Sequence, residues 1–220
     1  MRVVVNAATS VDGKLSSRRR EQIAISGPED FDRMDQLRAD SDAVMVGVGT
    51  VLADDPHLTV DDPARRTARR ERGESEHPAR VVADSRGRTP TDARILDDAA
   101  TTYVLVADAA PDERVEALEQ AGARVVAAGE DRVDLAGALA GLEREGVETL
   151  MVEGGGELIF SLFEAELADE LRLYVGSKLI GGRDAPTLAD GEGFVDDFPT
   201  PELESVSRVD DGVLLRYAVE

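Results

Sequence analysis

Thr149-Leu-Met-Val-Glu153-Gly-Gly-Gly156-Glu157 is the stretch on which the fold turns. A short apolar run ends at an acid and three glycines, after which Leu158, Ile159 and Leu162 recur at helical spacing to about Ala165. A buried strand, a glycine turn and a helix form part of a β/α unit. The same grammar occurs earlier, where Ala43-Val-Met-Val-Gly47 is a fully apolar strand. Its glycine-rich exit, Gly47-Val-Gly49-Thr50, runs on to Asp54-Asp55-Pro56.

Working outward, β-branched runs predict strands at Arg2–Ala8, Arg80–Asp84, Thr102–Ala107 and Arg124–Ala127, with a turn at Val11-Asp12-Gly13-Lys14 after the first. Ser26-Gly-Pro28-Glu29 has the form of a capping box and predicts a helix with Phe31, Met34 and Leu37 on one face. Further helices are expected at Asp112–Gln120, with Gly122 beyond its end, and at Asp134–Arg144, capped by Asp134 and stopped by Gly146. After Asp169-Glu170 the period becomes two. Runs at Leu203–Val209 and Val213–Val219 then meet at Asp210-Asp211-Gly212, a strong hairpin signal. The expectation is a single α/β domain over residues 1–220, with a mixed central sheet flanked by helices and an antiparallel C-terminal hairpin. Residues 61–79 are polar and charge-dense, carry five Arg, and predict an exposed insertion or mobile loop.

Composition narrows the function. The 220 residues hold 46 Asp and Glu against 25 Lys and Arg, a formal charge of −21, which argues against nucleic acid or an anionic membrane surface as partner. Cysteine is absent and His occurs twice, at His57 and His77, which excludes disulfides, Cys nucleophiles and Cys/His zinc sites; no metal is expected. Both histidines lie beside Pro in polar sequence and are expected at the surface. No apolar run approaches the roughly 18 residues of a membrane helix, so a soluble, cytoplasmic protein is expected. Of the basic residues 23 are Arg and only Lys14 and Lys178 are Lys, as expected for a high-salt cytosol, where screening is short, or for a GC-rich genome.

Several residues are placed to carry chemistry. Helix N-termini at strand ends favour phosphates, so the clusters at 47–49 and 154–156 are either ligand cradles or plain turns; neither completes a dinucleotide fingerprint or a P-loop. Ser85, Arg86 and Arg88 follow a strand end, where they could grip the 2′-phosphate of NADP or pair with surface carboxylates. Glu153 either orients a polar substrate or donates and accepts a proton as a catalytic group, or it caps a helix. Lys14, retained in a chain that otherwise uses Arg, suits a place where a compact ammonium is wanted near a carbonyl or imine.

Taken together, these phrases resemble a known family. Asn6-x-x-x-Ser10-x-Asp12-Gly13-Lys14, Ile25-Ser26, Leu37-Arg38, Asp42-Ala-Val-Met-Val-Gly47-x-Gly49-Thr50, Asp54-Asp55-Pro56-x-Leu58-Thr59, Val82-x-Asp84, Glu153-Gly-Gly-Gly156, Asp169-Glu170 and Ile180-Gly-Gly182 are similar, in order, to the riboflavin-pathway reductases of dihydrofolate-reductase-like fold. The resemblance implies an NADPH-dependent oxidoreductase, with NADH as alternative donor, that converts the ribosylamino sugar of a phosphorylated pyrimidine to a ribitylamino chain. Hydride would go to sugar C1′ of the opened, imine-like form, and a proton to nitrogen or oxygen. Thr50, Asp54, Ser85, Arg86, Gly154, Gly155, Gly156 and Glu157 would hold the cofactor, with Val133 lining the adenosine side. Ser26, Arg38, Leu58 and Glu153 would hold the substrate, Arg38 at its 5′-phosphate. Lys14, oriented by Asp12, would polarise or protonate the sugar end. Glu157 stands where relatives often carry Thr, so its carboxylate is expected to point away from a cofactor phosphate. The lack of Cys and motifs beginning at residue 6 predict that no zinc deaminase domain, such as bacterial relatives carry, stands in front. A homodimer using part of the antiparallel sheet is also implied. Reductases of the deaminated uracil substrate or of a dihydropterin, and a non-catalytic nucleotide-binding protein, remain alternatives.

Overall fold

The computed structural model describes residues 1–21 and 23–219, so Gln22 and Glu220 lie outside the described residues. Along the chain run β1 (Arg2–Ser10), α1 (Pro28–Ala39), β2 (Ala43–Gly47), α2 (Val48–Asp54), α3 (Pro63–Glu71), β3 (Ala79–Ala83), β4 (Thr102–Val106), α4 (Asp112–Gln120), β5 (Arg124–Ala127), α5 (Leu135–Arg144), β6 (Thr149–Gly154), α6 (Gly156–Glu164), β7 (Glu170–Gly176), β8 (Glu202–Val209) and β9 (Gly212–Ala218). The chain divides into two compact units. One comprises Met1 and Asp35–Met151, the other Arg2–Met34 and the chain from Val152 on. Strand order is β5-β4-β3-β2-β6 in the first and β6-β1-β7-β9-β8 in the second, the division falling within β6.

In the first unit β2, β3, β4 and β5 pair in parallel. Val44, Met45, Val81, Val82, Val104 and Leu105 are fully buried, as are Leu118, Ala138 and Leu142 on the helices. Strands of parallel sheets are covered on both faces, which is why these read as unbroken apolar runs. Each buried large side chain contributes about 1.5–3 kcal/mol.

The segment 61–79 differs from the sequence expectation: it holds α3 and the start of β3 rather than a mobile loop. Asp62 caps α3 by accepting from the Ala64 amide at 2.7 Å, and Pro63 takes the first helical position. The helix is anchored by arginine instead of an apolar stripe. Arg69 is 3% exposed and donates to the Ala39, Ser41 and Ser75 carbonyls at 2.8–2.9 Å. Five fixed donors let one guanidinium satisfy several otherwise unpaired carbonyls. Asp62-Pro63 was the sequence signal for this helix. Asp134 does precede α5 as expected, but its side chain makes no capping bond.

In the second unit β1 and β7 pair in parallel from Val4↔Glu170 to Ser10↔Gly176, and β9 is antiparallel to both β7 and β8. The expected hairpin is present, closing at Val209↔Gly212. Its turn has a second task. Asp210 accepts from the Glu29 and Asp30 amides at 3.2 and 3.0 Å, so it, and not Ser26, caps the start of α1. A side chain on Gly27 would lie 2.6 Å from the Asp210 carboxyl carbon, which is why the position is glycine. Leu37 is buried as expected, but Phe31 stays 47% exposed. At the head of β7, burial acts to raise the Glu170 carboxyl, but Arg172, Arg216 and Arg2 outweigh it and hold it below the usual carboxylate range. Among the described residues no helix is long and apolar enough to cross a membrane.

Candidate active site

In the second unit the chain leaves β1 through a tight turn, with Gly13 at φ +76°, where L side chains are strained. Ser10 Oγ donates to Asp12 Oδ1 at 2.6 Å and accepts from the Lys14 amide at 2.9 Å. Asp12 also accepts from the Ile180 and Gly181 amides at 3.0 and 2.7 Å. The Ser10 hydroxyl and these two amides hold its carboxyl down to about 2, so it is ionised at any ordinary pH. Asp12 was expected to orient Lys14. Its grip runs through Ser10 to the Lys14 main chain, while the Lys14 ammonium donates to the Ala185 carbonyl at 3.2 Å. That bond uses one of three N–H groups.

The same unit carries the glycine turn. Gly155 precedes α6 at φ +99°, and Gly156 opens the helix against the chain itself: a side chain there would lie 2.5 Å from the Thr187 carbonyl oxygen and 2.9 Å from Asp190 Oδ2. Asp190 in turn donates its amide to the Gly156 carbonyl at 3.0 Å. Segment 185–190 therefore joins the Lys14 turn to the glycine turn, since Leu15 N–H donates to the Pro186 carbonyl and Lys14 bridges Thr187. Sequence reasoning missed this segment, whose contacts are long-range and mostly main chain. Glu153, on β6, is half-buried, as is Ser26; Glu157 is exposed.

In the first unit Gly49 opens onto empty space, with no atom within 4 Å of the place a Cβ would take, and Thr50 follows in the same short helix. Asp54 ends that helix half-buried, and burial pushes its carboxyl up. Beyond it Leu58 is 3% exposed with φ +52°, a left-handed conformation rare for a branched side chain. Arg38 of α1 donates to the Thr59 carbonyl at 3.0 Å.

At the end of β3 the Ser85 hydroxyl accepts from the Val133 amide at 3.0 Å, which leaves its own proton to give. Arg86 is 56% exposed and lies 4.0 Å from the exposed Asp131; Arg88 is 60% exposed. Asp84 is fully buried and holds the loop by accepting from the Thr89 amide and hydroxyl at 2.7 and 2.8 Å. Arg114, another residue missed in the sequence, clamps the same loop from α4 by donating to the Gly87 and Thr89 carbonyls, each at 2.8 Å. Arg88 Nε lies 3.9 Å from Asp84 Oδ1, so the loop offers an available hydroxyl proton at Ser85 and an exposed guanidinium at Arg86, the groups with which a phosphate could pair. Among the described residues no group of three or more His, Asp or Glu is placed to hold a metal.

The two histidines part ways. His57 is 46% exposed, as expected. His77 is half-buried, and its Nδ1 accepts from the Val60 amide at 3.1 Å.

Comparison with known proteins bears on these clusters. A 2,5-diamino-6-ribosylamino-4(3H)-pyrimidinone 5′-phosphate reductase of Archaeoglobus fulgidus is 50% identical over 210 residues, covering 96% of this chain and 94% of its own. The protein of the same name from Methanothermobacter thermautotrophicus is 42% identical over 220 residues, covering 99% and 98%. A pyrimidine reductase-like protein from Corynebacterium diphtheriae shares the fold with a TM-score of 0.81 at 20% identity, over 100% of this chain and 92% of that one. The fold is of the dihydrofolate-reductase-like class, as expected. The RibD C-terminal domain family matches residues 1–215, and the chain belongs to that family.

Proposed function

We propose that the chain reduces 2,5-diamino-6-ribosylamino-4(3H)-pyrimidinone 5′-phosphate in riboflavin biosynthesis, with NADPH as donor and NADH as the alternative. The observation that carries this is the 50% identity, over 96% of the chain, to the Archaeoglobus protein of that name. The substrate's opened, imine-like form gains a hydride at C1′ and a proton at the nitrogen of the C=N bond, giving the ribitylamino product. A bound dihydronicotinamide would supply that hydride as the reductant.

Roles follow residue by residue. Ser85 and Arg86 hold the cofactor's phosphate side, with Thr50, Asp54, Val133 and Gly154–Glu157 completing its contacts. Their chemistry supports this, because Ser85 keeps a proton to donate and Arg86 points outward, 4.0 Å from Asp131. Ser26, Arg38 and Leu58 hold the substrate, Arg38 at the phosphate, and Glu153 anchors the base. Lys14 polarises the sugar end with the N–H groups that Ala185 leaves over. Catalysis then comes mostly from positioning and from a fixed positive charge.

A homodimer is part of the proposal. On one face of the second unit's sheet Leu171, Tyr217 and Leu203 form one cross-strand row and Leu173, Leu215 and Val206 the next. Leu203 and Val206 are 50% and 58% exposed. An apolar face at a sheet edge suits a second copy related by a two-fold axis. The excess acidity is assigned to a high-salt cytosol.

The decisive assay follows NADPH consumption by the purified chain with the diamino substrate in multimolar KCl, beside the deaminated uracil compound and NADH. Turnover preferring the diamino compound is expected. Preference for the uracil compound would move the reading to the later substrate, and no oxidation by folded protein would leave a nucleotide-binding role. Unfolding followed against KCl is expected to show stability rising with salt.

A further inference from the structure

The segment that carries Leu58 has no strand or helix to hold it, yet it keeps a buried leucine in the left-handed region, a conformation that persists only when its surroundings over-determine it. Side chains do so, one main-chain group at a time. Arg38 donates to the Thr59 carbonyl, Asp35 accepts from the Asp61 and Asp62 amides at 2.6 and 3.2 Å, and Arg65 secures Asp35 at 2.8 Å. The remaining bond is from the Val60 amide to His77 Nδ1. Val60 is 1% exposed, so no bulk water replaces a lost acceptor.

We propose that His77 is a positioning residue for substrate binding: its neutral imidazole, protonated at Nε2, holds Val60 and thereby Leu58 and Thr59, and a second proton at Nδ1 releases them. This rests on the substrate role given to Leu58 and Arg38 above. The chemistry is specific to histidine, because imidazolium has two donors and no acceptor. Its surroundings oppose that second proton. Burial acts first, joined by Arg66 and Arg69 from α3 and Arg80 from β3, against the single favourable charge of Glu76, and together they lower the His77 pKa below its ordinary value. The sign follows: an unfolded chain takes up this proton near pH 6.5, while the folded chain resists it. The stabilisation is complete above that pH and is lost as pH falls toward the depressed folded value.

The test uses His77→Gln, whose amide oxygen accepts from Val60 without titrating, beside His77→Ala, which removes the acceptor. Between pH 7.5 and 5.5 the wild-type substrate KM is expected to rise at least twofold, but by less than the roughly tenfold that an imidazole titrating at its ordinary 6.5 would give, with the cofactor KM within twofold. His77→Gln should flatten that rise, and His77→Ala should show the raised KM at every pH. An unchanged acid rise in His77→Gln overturns the proposal. Independently of activity, nitrogen–proton correlation spectra of the histidine rings should show His77 as the Nε2–H tautomer, titrating below the ordinary imidazole value of about 6.5; an Nδ1–H tautomer overturns it as well. If no pyrimidine is reduced, the functional reading fails, while ring tautomer and Val60 amide protection against pH still decide whether His77 holds the segment.

Discussion

Two glycine-rich strand exits, Gly47–Thr50 in the first unit and Gly154–Glu157 in the second, look alike in sequence and differ in kind. Gly49 has nothing within 4 Å of where a side chain would begin. Gly156 has the Thr187 carbonyl at 2.5 Å, and Gly155 holds φ +99°. The first exit is small toward empty space, where a ligand can approach the main chain. The second is small because the chain packs on itself, and what it packs against is the segment that also holds Lys14. A glycine is thus evidence of close approach, but the approaching partner has to be read from the structure.

The largest expected effect lies at the end of that second contact. Lys14→Ala should lower kcat/KM with the diamino substrate by about 10²–10³-fold, the range for a lost electrostatic stabiliser, most of it in kcat. A change confined to KM would reduce Lys14 to ground-state binding. Next comes the contact itself. Gly156→Ala sets a methyl group against a main-chain oxygen that cannot swing away, so overpacking should cost about 1–3 kcal/mol and lower Tm by about 2–10 °C. An unchanged Tm would mean that segment 185–190 does not lie on the glycine turn in solution.

Arg86→Gln tests the first unit from its other strand end. A lost charge-assisted bond to phosphate is worth about 1.5–3 kcal/mol, so the KM for NADPH should rise roughly 10–100-fold while that for NADH stays within about twofold. Equal effects on both would place Arg86 at the shared pyrophosphate.

How much of this could be read in advance divides along physical lines. The buried strand β2, the half-exposed edge strand β5 and helix α4 fall on the expected residues, because short apolar runs and a glycine stop are local signals. Helix α3 carried only its Asp62-Pro63 start signal and no apolar stripe, because its buried anchor is Arg69, which every hydrophobicity pattern counts as surface. The cap of α1 is supplied by Asp210, some 180 positions along the chain, while Ser26 had the right local form. The candidate site divides similarly. Ser85, Arg86 and Lys14 announced themselves by type and scarcity, and Asp12 reaches Lys14 through Ser10 within one local turn, but Arg114 across the Ser85–Thr89 loop and His77 under Val60 are tertiary bonds with no sequence period. The contrast between Asp12 and His77 adds a second lesson. Both accept main-chain amides beside candidate residues, but a carboxyl held down to about 2 keeps its grip far into acid, whereas an imidazole loses its acceptor as soon as it takes a second proton, which burial and the nearby arginines oppose.

The smallest expected effect is at Gly49, and it tests the comparison most directly. The position is exposed, lies in the first turn of α2 and has no positive φ, so alanine there meets no atom and removes backbone freedom from the unfolded chain. Gly49→Ala should therefore stabilise by about 0.4–1 kcal/mol, visible as a Tm rise of roughly 1–4 °C. If the empty space is where the cofactor lies, the same methyl group should raise the NADPH KM severalfold in a protein that is otherwise more stable. A variant that is stabilised with an unchanged KM would leave the glycine as an ordinary turn residue, and the asymmetry between the exits would then be one of packing alone.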